Sequence, residues 1–457
     1  MSNQAIIDEA YEILERSIIH FQDRPVGTVA ACDPSLVAEN YAECFVRDFV
    51  PSALVFLIDG NPSIVRNFLR AALTLAGQQK VMAGHERATG LMPASFKVHI
   101  TENGHEELIA DFGERAIGRV APVDSAMWWM ILLLLYTELT GDQALAQRPE
   151  FQEGIRHILS LYLKESFETS PAMLVPDGSF MIDRRMGVYG HPLEIQSLFY
   201  GMLHAAQKLL LPNNENLSLI KMAEKRMQTL RSFVRIYFWL DKHRLNEIHR
   251  YKSEEFGLDA ENLFNIYPET IPKWIDGWLA DECGYFVGDL SAGRMDFRVF
   301  SLGNMLAILF DLATEDQASQ IMNLYAHQWD ALIGEMPLKI VYPAVSGSEW
   351  EIRTGSDPKN VSWSYHNGGS WPTLIWPFVG AALKTDREDL AVDAMKLLRP
   401  RLQHDKWAEY YDGKRGTLIG RRANFYQLWT ATGYLVAEHF MNNKDNGSVL
   451  NAMSFKI

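Results

Sequence analysis

Apolar residues recur at positions i, i+3, i+4 and i+7 along most of the chain, which is the spacing of one face of an α-helix. Strand patterns are few. Asn103 and Gly104 form an Asn-Gly turn between two short alternating runs in residues 96–112, which predicts a β-hairpin. The run from Leu338 to Val345 is a second candidate strand. We therefore predict an all-α fold with minor β-hairpins. The predicted helices lie near residues 6–21, 51–59, 62–77, 124–140, 149–164, 192–211, 215–242, 299–313, 315–333, 372–384, 386–402 and 423–440.

Every second predicted helix follows a loop that mixes charged and aromatic side chains. These six loops stand before the helices that begin near 51, 124, 192, 299, 372 and 423, whereas most other helices follow short plain turns. Such an alternation is expected for a double ring of helices, in which the inner six open their N-terminal ends onto one face. We therefore predict an (α/α)6 barrel in a single domain, residues 1–457, with a helical insertion around 242–290.

Composition limits the partners and the compartment. The 457 residues include 43 basic and 57 acidic side chains, a net charge of −14, and no stretch concentrates Lys and Arg, which argues against nucleic acid and anionic membranes. Three cysteines are too few for a disulfide framework or a zinc site. The longest apolar run, Ala126 to Tyr136, is far too short to cross a bilayer, and the N-terminus lacks a secretory or transit pattern. We expect a cytoplasmic protein.

No nucleotide, zinc-protease or serine-hydrolase motif is present, which argues against phosphoryl transfer, hydride transfer and serine hydrolysis. What remains is a set of carboxylates in or near the aromatic-rich loops. Breaking an acetal needs one protonated carboxyl group to protonate the leaving oxygen and one ionised carboxylate to activate water. Two of these carboxylates, brought together by the fold, would suffice. The candidates are Asp48, Asp124, Asp183, Glu194, Asp296 and Glu409.

Each candidate also has a structural interpretation. Apolar neighbours on the N-terminal side of Asp183 would desolvate it and raise its pKa, whereas a salt bridge to Arg184 or Arg185 would lower that pKa. Glu409 is equally compatible with an ordinary surface carboxylate in a loop rich in Tyr and Gly.

The other loops leave similar alternatives. Arg47 and Asp48 could form an ion pair at the start of a helix, and Asp124 has the position of an N-cap. His366 and Asn367 lie in a glycine-hinged loop, where a functional role is favoured over core packing.

Six blocks of sequence resemble the alkaline/neutral invertases, the sucrose-cleaving glycosidases of plants and cyanobacteria in glycoside hydrolase family 100. The resemblance spans about Asn40 to Phe440 and is to the short cyanobacterial type. It implies an (α/α)6 barrel with a helical insertion, a cytosolic location, no metal or organic cofactor, hydrolysis of sucrose to glucose and fructose, and a homo-oligomer, a hexamer as the family suggests. The blocks are FVRDFVPS, GRVAPVDSAMWWMILL, FMIDRRMGVYGHPLEIQSLFYGML, YPETIPKW, VSWSYHNGGSWPTLIWP and KWAEYYDGKRGTLIGRRANFYQLWTATGYL.

The resemblance assigns the two catalytic roles. The aspartate of MIDRR, Asp183, is the expected general acid, and the glutamate of WAEYYDG, Glu409, is the expected general base. We expect an inverting mechanism at the glucosyl carbon, with the carboxyl groups about 6.5–9.5 Å apart and both arginines beside Asp183 pointing away. Tyr41 or Trp363 would stack on a sugar. The candidates to bind sugar hydroxyls are Arg47, Asp48, Asp124, Gln196, His366, Asn367, Arg421 and Gln427.

Three alternatives remain. A sugar epimerase of similar architecture would use His366 or His191 as acid and base, and the second alternative is another α-glucosidase on the same barrel. A catalytically silent sugar-binding or scaffold protein would be unaffected by loss of Asp183. A reducing-sugar assay on sucrose separates the epimerase from an invertase.

Overall fold

The structure is a computed structural model of the chain. The residues that it describes are 3–33, 39–76, 81–82, 86–87, 89–114, 121–164, 168–169, 171–175, 178–182, 184–250, 268–291, 294–419, 423–442 and 447–456.

Helices dominate the described residues. They are α1 Asn3–Ser17, α2 Phe49–Ile58, α3 Pro62–Thr74, α4 Ser125–Thr140, α5 Gln143–Ala146, α6 Pro149–Tyr162, α7 Leu193–Leu209, α8 Leu217–Phe233, α9 Lys242–Arg250, α10 Ser301–Leu309, α11 Glu315–His327, α12 Trp329–Leu332, α13 Gly347–Thr354, α14 Ile375–Lys384, α15 Glu388–Leu402, α16 Leu428–Asn442 and α17 Gly447–Ala452.

The strands are short and form small antiparallel sheets, ordered β1-β2, β3-β6-β7, β4-β5, β8-β9 and β10-β11-β12-β13. They are β1 Ile18–Phe21, β2 Arg24–Thr28, β3 Cys44–Phe45, β4 Val81–Met82, β5 Glu86–Arg87, β6 Ser95–Ile100, β7 Glu106–Asp111, β8 Glu168–Thr169, β9 Ala172–Met173, β10 Trp239–Asp241, β11 Gly284–Ser291, β12 Arg294–Phe300 and β13 Val341–Tyr342.

A helix is present in each of the twelve predicted regions, and several predicted helices extend beyond the observed ones, most clearly the first and the seventh. Residues 18–21, predicted as the end of the first helix, form strand β1, which pairs with β2. After α8 the chain makes a π-helical turn, Val234–Phe238, and then enters β10, where Trp239 pairs with Phe286. In both places apolar residues continue with a spacing compatible with a helix, and strand pairing overrides it, with the adjacent strand β2 in the first case and with the distant strand β11 in the second.

The predicted hairpin is confirmed. Strands β6 and β7 pair antiparallel up to Ile100 and Glu106, and Gly104 occupies the turn with a φ of +77°. Within the second candidate strand, Leu338 to Val345, residues 341–342 form β13. Within 242–290, the range predicted as a helical insertion, the described elements are α9, the 3-10 turns Pro268–Thr270 and Lys273–Ile275, and most of β11.

Burial separates two classes of helix. Helix α4 is buried on every side from Ser125 to Thr137, and α7 is buried over nearly its whole length. By contrast, α8 buries only Ala223, Arg226, Met227 and Leu230. A helix that is apolar all round belongs in the interior, and one with a single apolar stripe belongs on the outside.

The buried helices contact one another in a closed cycle: α2 packs on α4, α4 on α7, α7 on α10, α10 on α14, α14 on α16, and α16 on α2. Close approach of α4 and α7 requires Gly201, because a Cβ there would lie 2.9 Å from Ile131 Cδ1. Helices α1, α3, α8, α11 and α15 each contact one or two helices of the cycle from outside. Every helix in the described part of the chain is too short or too polar to span a membrane.

Candidate active site

A cavity lies where the N-terminal parts of the buried helices meet. Its walls come from the start of α2, from α4, from the segment before α7, and from the starts of α10, α14 and α16. Six segments that are remote along the chain therefore converge on one place, as the aromatic-rich loops predict. The lining residues are Arg47, Val50, Pro51, Trp128, Met181, Leu302, Thr373, Leu374, Trp376 and Trp429.

Indole rings form much of this wall. The N–H groups of Trp128 and Trp429 are buried and find no acceptor among the described residues. Trp429 packs edge-on against Trp371, with ring centroids 5.5 Å apart. Trp129, the neighbour of Trp128, instead donates its N–H to the Leu69 carbonyl at 3.0 Å and belongs to the core. Flat rings with unused donors suit a ligand that has both apolar faces and hydroxyl groups.

A buried ion pair joins two of the predicted binding residues. Arg47 Nη1 donates to Asp124 Oδ2 at 2.7 Å. The ion pair that the structure describes for Arg47 is therefore with Asp124 rather than with Asp48. Asp124 occupies the N-cap position of α4 as predicted, but its side chain makes no capping hydrogen bond. It accepts from Arg47 instead, so its role is to orient the guanidinium group.

Two further carboxyl groups, those of Asp48 and Glu194, interact with the same Arg47 cation. Burial raises the pKa of Asp48 to about 7, against the lowering effect of Arg47 and with help from Glu409 and Asp124. Burial, with the charge of Asp124, raises the pKa of Glu194 to about 8. Near neutral pH these groups have protons that most surface carboxylates have lost.

Glu409 has a different environment, in the loop between α15 and α16. It is 3% exposed, so the interpretation as a surface carboxylate is wrong. Tyr41 donates its hydroxyl to Oε1 at 3.1 Å, and Asn424 donates its side-chain and backbone N–H groups to Oε2 at 3.0 and 3.3 Å. Three donors on one carboxylate hold it in a fixed orientation, which a general base requires.

The loops around Glu409 contain strained backbone. Five residues there adopt a positive φ without being glycine, at a cost of order 1–3 kcal/mol each. They are Trp363 at 69°, Tyr365 at 48°, Lys406 at 55°, Trp407 at 54° and Tyr426 at 49°. Strain of this kind persists only where the surrounding packing enforces it, and it concentrates at functional sites.

The side-chain amides of two predicted binding residues form hydrogen bonds with backbone groups. Gln196 accepts from Met173 N at 2.8 Å and donates to Met173 O at 2.9 Å. Asn367 accepts from Val345 N at 2.8 Å and donates to the carbonyls of Val345 and Asn360. These amides fix the shape of neighbouring segments, and a direct contact of either with sugar stays a prediction.

Gln427 and the two candidate histidines have other surroundings. Gln427 is 1% exposed, and its Oε1 finds no donor among the described residues. The ring of His366 stacks on Tyr365 with centroids 3.9 Å apart. His191 Nδ1 lies 2.7 Å from the Leu290 carbonyl, and burial lowers the pKa of its imidazole. Gln427 is therefore better prepared for a ligand than Gln196.

Asp183, Arg421 and the side chain of Arg184 lie outside the described residues. Just before position 183, Met181 lines the cavity and donates its backbone N–H to Glu194 Oε1 at 3.0 Å. Just after it, Arg185 is exposed and lies 3.9 Å from Asp357.

Asp296 is an ionised structural group. Burial would raise its pKa, but Arg298 and Arg353 hold the pKa at about 2. Its Oδ1 accepts from Arg298 Nε at 2.8 Å. A carboxylate held in this way cannot serve as an acid.

Reasoning from sequence missed Asn424, which shares Oε2 of Glu409, and two residues that line the cavity, Trp376 and Trp429. No local signal marks Asn424. Trp376 and Trp429 do have a local signal, because each is a tryptophan in the first turn of a buried helix and those first turns face the cavity. No cluster of His, Cys, Asp or Glu that could hold a metal is found in the described ranges.

Comparisons with known proteins agree with this picture. The family model "Alkaline and neutral invertase" matches residues 10–444. Alkaline/neutral invertase CINV2 of Arabidopsis thaliana is 51% identical over 440 residues, which are 96% of this chain and 79% of that protein. Cytosolic invertase 1 of Oryza sativa subsp. japonica is also 51% identical over 440 residues, 96% of this chain and 78% of that protein.

Solved structures resemble the chain in fold. A wild-type glycosidase superposes with a TM-score of 0.60 at 12% identity, covering 96% of both chains. A variant glycosidase in complex with glucose gives 0.58 at 11% identity, again over 96% of both chains. At these identities the likeness establishes a helix-rich glycosidase fold and nothing about individual residues.

Proposed function

The chain belongs to the alkaline and neutral invertase family and is a glycosidase that cleaves sucrose to glucose and fructose, and we propose that it does so by inverting hydrolysis with Glu409 as general base and Asp183 as general acid.

The environment of Glu409 is the observation that carries this proposal. The carboxylate is buried, accepts three hydrogen bonds from Tyr41 and Asn424, and lies in a strained loop. It also acts electrostatically on Asp48, the neighbour of the cavity residue Arg47. A buried carboxylate held in place by hydrogen bonds beside a cavity suits the removal of a proton from water.

Support for Asp183 comes from its position in the chain and from the family resemblance. It follows Met181, which lines the cavity, by two residues. The aspartate of MIDRR is the acid that the resemblance implies, and the exposed Arg185 next to it has a partner at Asp357.

In the proposed step, protonated Asp183 gives its proton to the bridging oxygen as the bond from that oxygen to the glucosyl carbon breaks. Glu409 takes a proton from a water molecule, whose oxygen bonds to the same carbon from the opposite face. Fructose leaves with the bridging oxygen, and the glucose product has the β configuration. Arg47, Gln427 and the free indole N–H groups of Trp128 and Trp429 would bind sugar hydroxyls.

The finer architecture and the assembly are part of the proposal. The closed cycle of α2, α4, α7, α10, α14 and α16, with further helices outside it, supports an (α/α)6 barrel. A cytosolic location is supported by the relative named cytosolic invertase 1, although other relatives are named mitochondrial or chloroplastic. We further propose a homo-oligomer, a hexamer as the family resemblance suggests.

A substrate with a better leaving group tests the acid. Asp183→Asn is expected to lose at least about 10³-fold in kcat on sucrose but to keep most activity on α-glucosyl fluoride, because fluoride leaves without a proton. Equal losses on both substrates would contradict the role of Asp183.

Azide tests the base. Glu409→Ala is expected to be inactive on α-glucosyl fluoride until azide is added, when azide attacks the glucosyl carbon directly and β-glucosyl azide accumulates. Formation of α-glucosyl azide would contradict the role of Glu409. So would a Glu409→Ala variant that hydrolyses α-glucosyl fluoride as fast as the wild type without azide.

A further inference from the structure

Glu194 is a fully buried glutamate in the first turn of α7 that the proposed mechanism does not use. Its side chain is 0% exposed. Oε1 accepts the backbone N–H of Met181 at 3.0 Å, and Oε2 is buried without a donor among the described residues. One hydrogen bond is too few to stabilise a buried carboxylate.

The nearest charges do not supply the missing support. Arg47 acts on Glu194, but the hydrogen bond described for its guanidinium group is to Asp124 at 2.7 Å, and its Nε is buried without an acceptor among the described residues. Asp124 acts on Glu194 with a charge of the same sign. Among the described residues one cation is therefore shared by several carboxyl groups, and an ionised Glu194 would be in excess.

The other elements that contact α7 provide no cation for this carboxyl group among their described residues. Segment 178–182 and the first turn of α10 contain no ionisable side chain. On β11, Asp289 accepts the backbone N–H of His191 at 2.7 Å. On α8, Arg226 donates to the Pro171 carbonyl at 2.7 Å.

We propose that Glu194 is a positioning residue that works as an uncharged acid, and that its ionisation lowers turnover on the alkaline side. Uncharged, it holds the Met181 backbone, two residues before Asp183, and leaves Arg47 to Asp124. Ionised, it competes with Asp124 for Arg47 and disturbs both sides of the cavity. The inference rests on the proposed function, because Asp183 is the acid whose segment is held. The pKa of about 8 at Glu194, caused first by burial, agrees with it.

The pH profile of Glu194→Gln tests this directly, because glutamine keeps an acceptor for Met181 and cannot ionise. At pH 7 the variant is expected to retain kcat/KM for sucrose within about threefold of the wild type. Above pH 8 the wild type falls by about tenfold per pH unit, and the variant falls at least one pH unit later. Glu194→Ala, which lacks the acceptor, loses activity at every pH. Superimposable wild-type and Gln profiles would overturn the inference, as would a Gln variant as poor as Ala.

Thermal unfolding supplies a readout that does not depend on catalysis. Between the unfolded pKa of a glutamate, about 4.3, and the folded pKa of about 8, only the unfolded wild type releases this proton, so its stability falls as pH rises. Glu194→Gln escapes that loss. The Tm advantage of the variant should therefore grow between pH 5 and pH 8, by up to about 5 °C, and then stop growing. A constant difference would contradict the inference.

Failure of this inference can be told apart from failure of the proposed function. If Glu409 is not the base, Glu409→Gln stays active at neutral pH whatever Glu194 does. If only the inference fails, Glu409→Gln is inactive and Glu194→Gln follows the wild-type profile.

Discussion

Glu409 and Glu194 are two buried glutamates of one site, and their surroundings differ. Glu409 accepts three hydrogen bonds, from the Tyr41 hydroxyl and from both N–H groups of Asn424. Glu194 accepts one, from Met181, and is close to the negative charge of Asp124. Burial is common to both. The two carboxyl groups differ in the number of donors they meet and in the charges beside them.

The two environments suit different parts of the proposed reaction. Around Glu409, strained backbone and several donors hold one carboxylate in place. Around Arg47 and Asp124, burial raises the pKa of Asp48 and Glu194 so that these groups keep protons, although Arg47 opposes this effect. A site that must both remove and donate a proton needs both kinds of environment.

The largest effect is expected from removing the negative charge. Glu409→Gln keeps the size of the side chain and cannot accept a proton from water, so kcat on sucrose should fall by at least about 10³-fold. Glu438→Gln is the matched control, because Glu438 is also 3% exposed but pairs with Arg399. The control should stay within about threefold of the wild type. A Glu409→Gln enzyme with more than a few per cent of wild-type turnover would remove the basis of the comparison.

The next effect is expected from removing the shared cation. Arg47→Met leaves Asp124 without its partner, which should cost about 3–5 kcal/mol of unfolding free energy and about 100-fold in kcat/KM. Chemical denaturation and sucrose kinetics measure the two losses. Arg399→Met breaks a pair with Glu438 of similar burial outside the site, so it should cost a similar amount of stability and leave kcat/KM unchanged. Unchanged stability in Arg47→Met would show that the carboxyl groups do not depend on this cation.

A smaller effect is expected from removing one donor to Glu409. Tyr41→Phe should lower kcat/KM for sucrose by about tenfold, because the Glu409 carboxylate loses one of the hydrogen bonds that hold it in place. The control is Tyr11→Phe, since the Tyr11 hydroxyl binds Asp59 outside the site, and this variant should keep the wild-type kcat/KM. Equal kcat/KM in the two variants would contradict a role of Tyr41 in positioning Glu409.

The smallest effect is expected at the indole rings. Trp429→Phe removes an N–H that has no acceptor among the described residues, so stability should change by less than about 1 kcal/mol while KM for sucrose rises about three- to tenfold. Trp129→Phe should instead lower stability and leave KM for sucrose unchanged, because its N–H binds the Leu69 carbonyl in the core. The same pattern in both variants would contradict the assignment of Trp429 to the cavity.

Much of the architecture follows from the sequence because each helix has a strong local signal. The run around Trp128 and Trp129 is apolar all round and therefore interior, and the loops that precede buried helices are marked by charge and aromatic residues. The hairpin of β11 and β12 was missed although β12 alternates polar and apolar residues from Arg294 to Val299. Its charged and aromatic residues resemble those of the other loops that precede buried helices, and β11 is buried on both faces and shows no clear alternation.

The site was predictable only in outline. The composition of the loops predicted Arg47, Asp124 and Glu409 as candidate site residues. It could not show that Arg47 binds Asp124, 77 positions away, or that Tyr41 binds Glu409, 368 positions away. Such pairings are set by how the helices close into a cycle, and no local pattern encodes them.

The most direct test of the proposed mechanism is proton NMR of the glucose that appears first when the wild-type enzyme acts on sucrose, recorded before the anomers equilibrate. Attack on the glucosyl carbon by water that Glu409 activates predicts that β-glucose forms first and that the α anomer appears only by mutarotation. Initial release of α-glucose would contradict the account, since it requires either retention at the glucosyl carbon or attack on the fructosyl carbon.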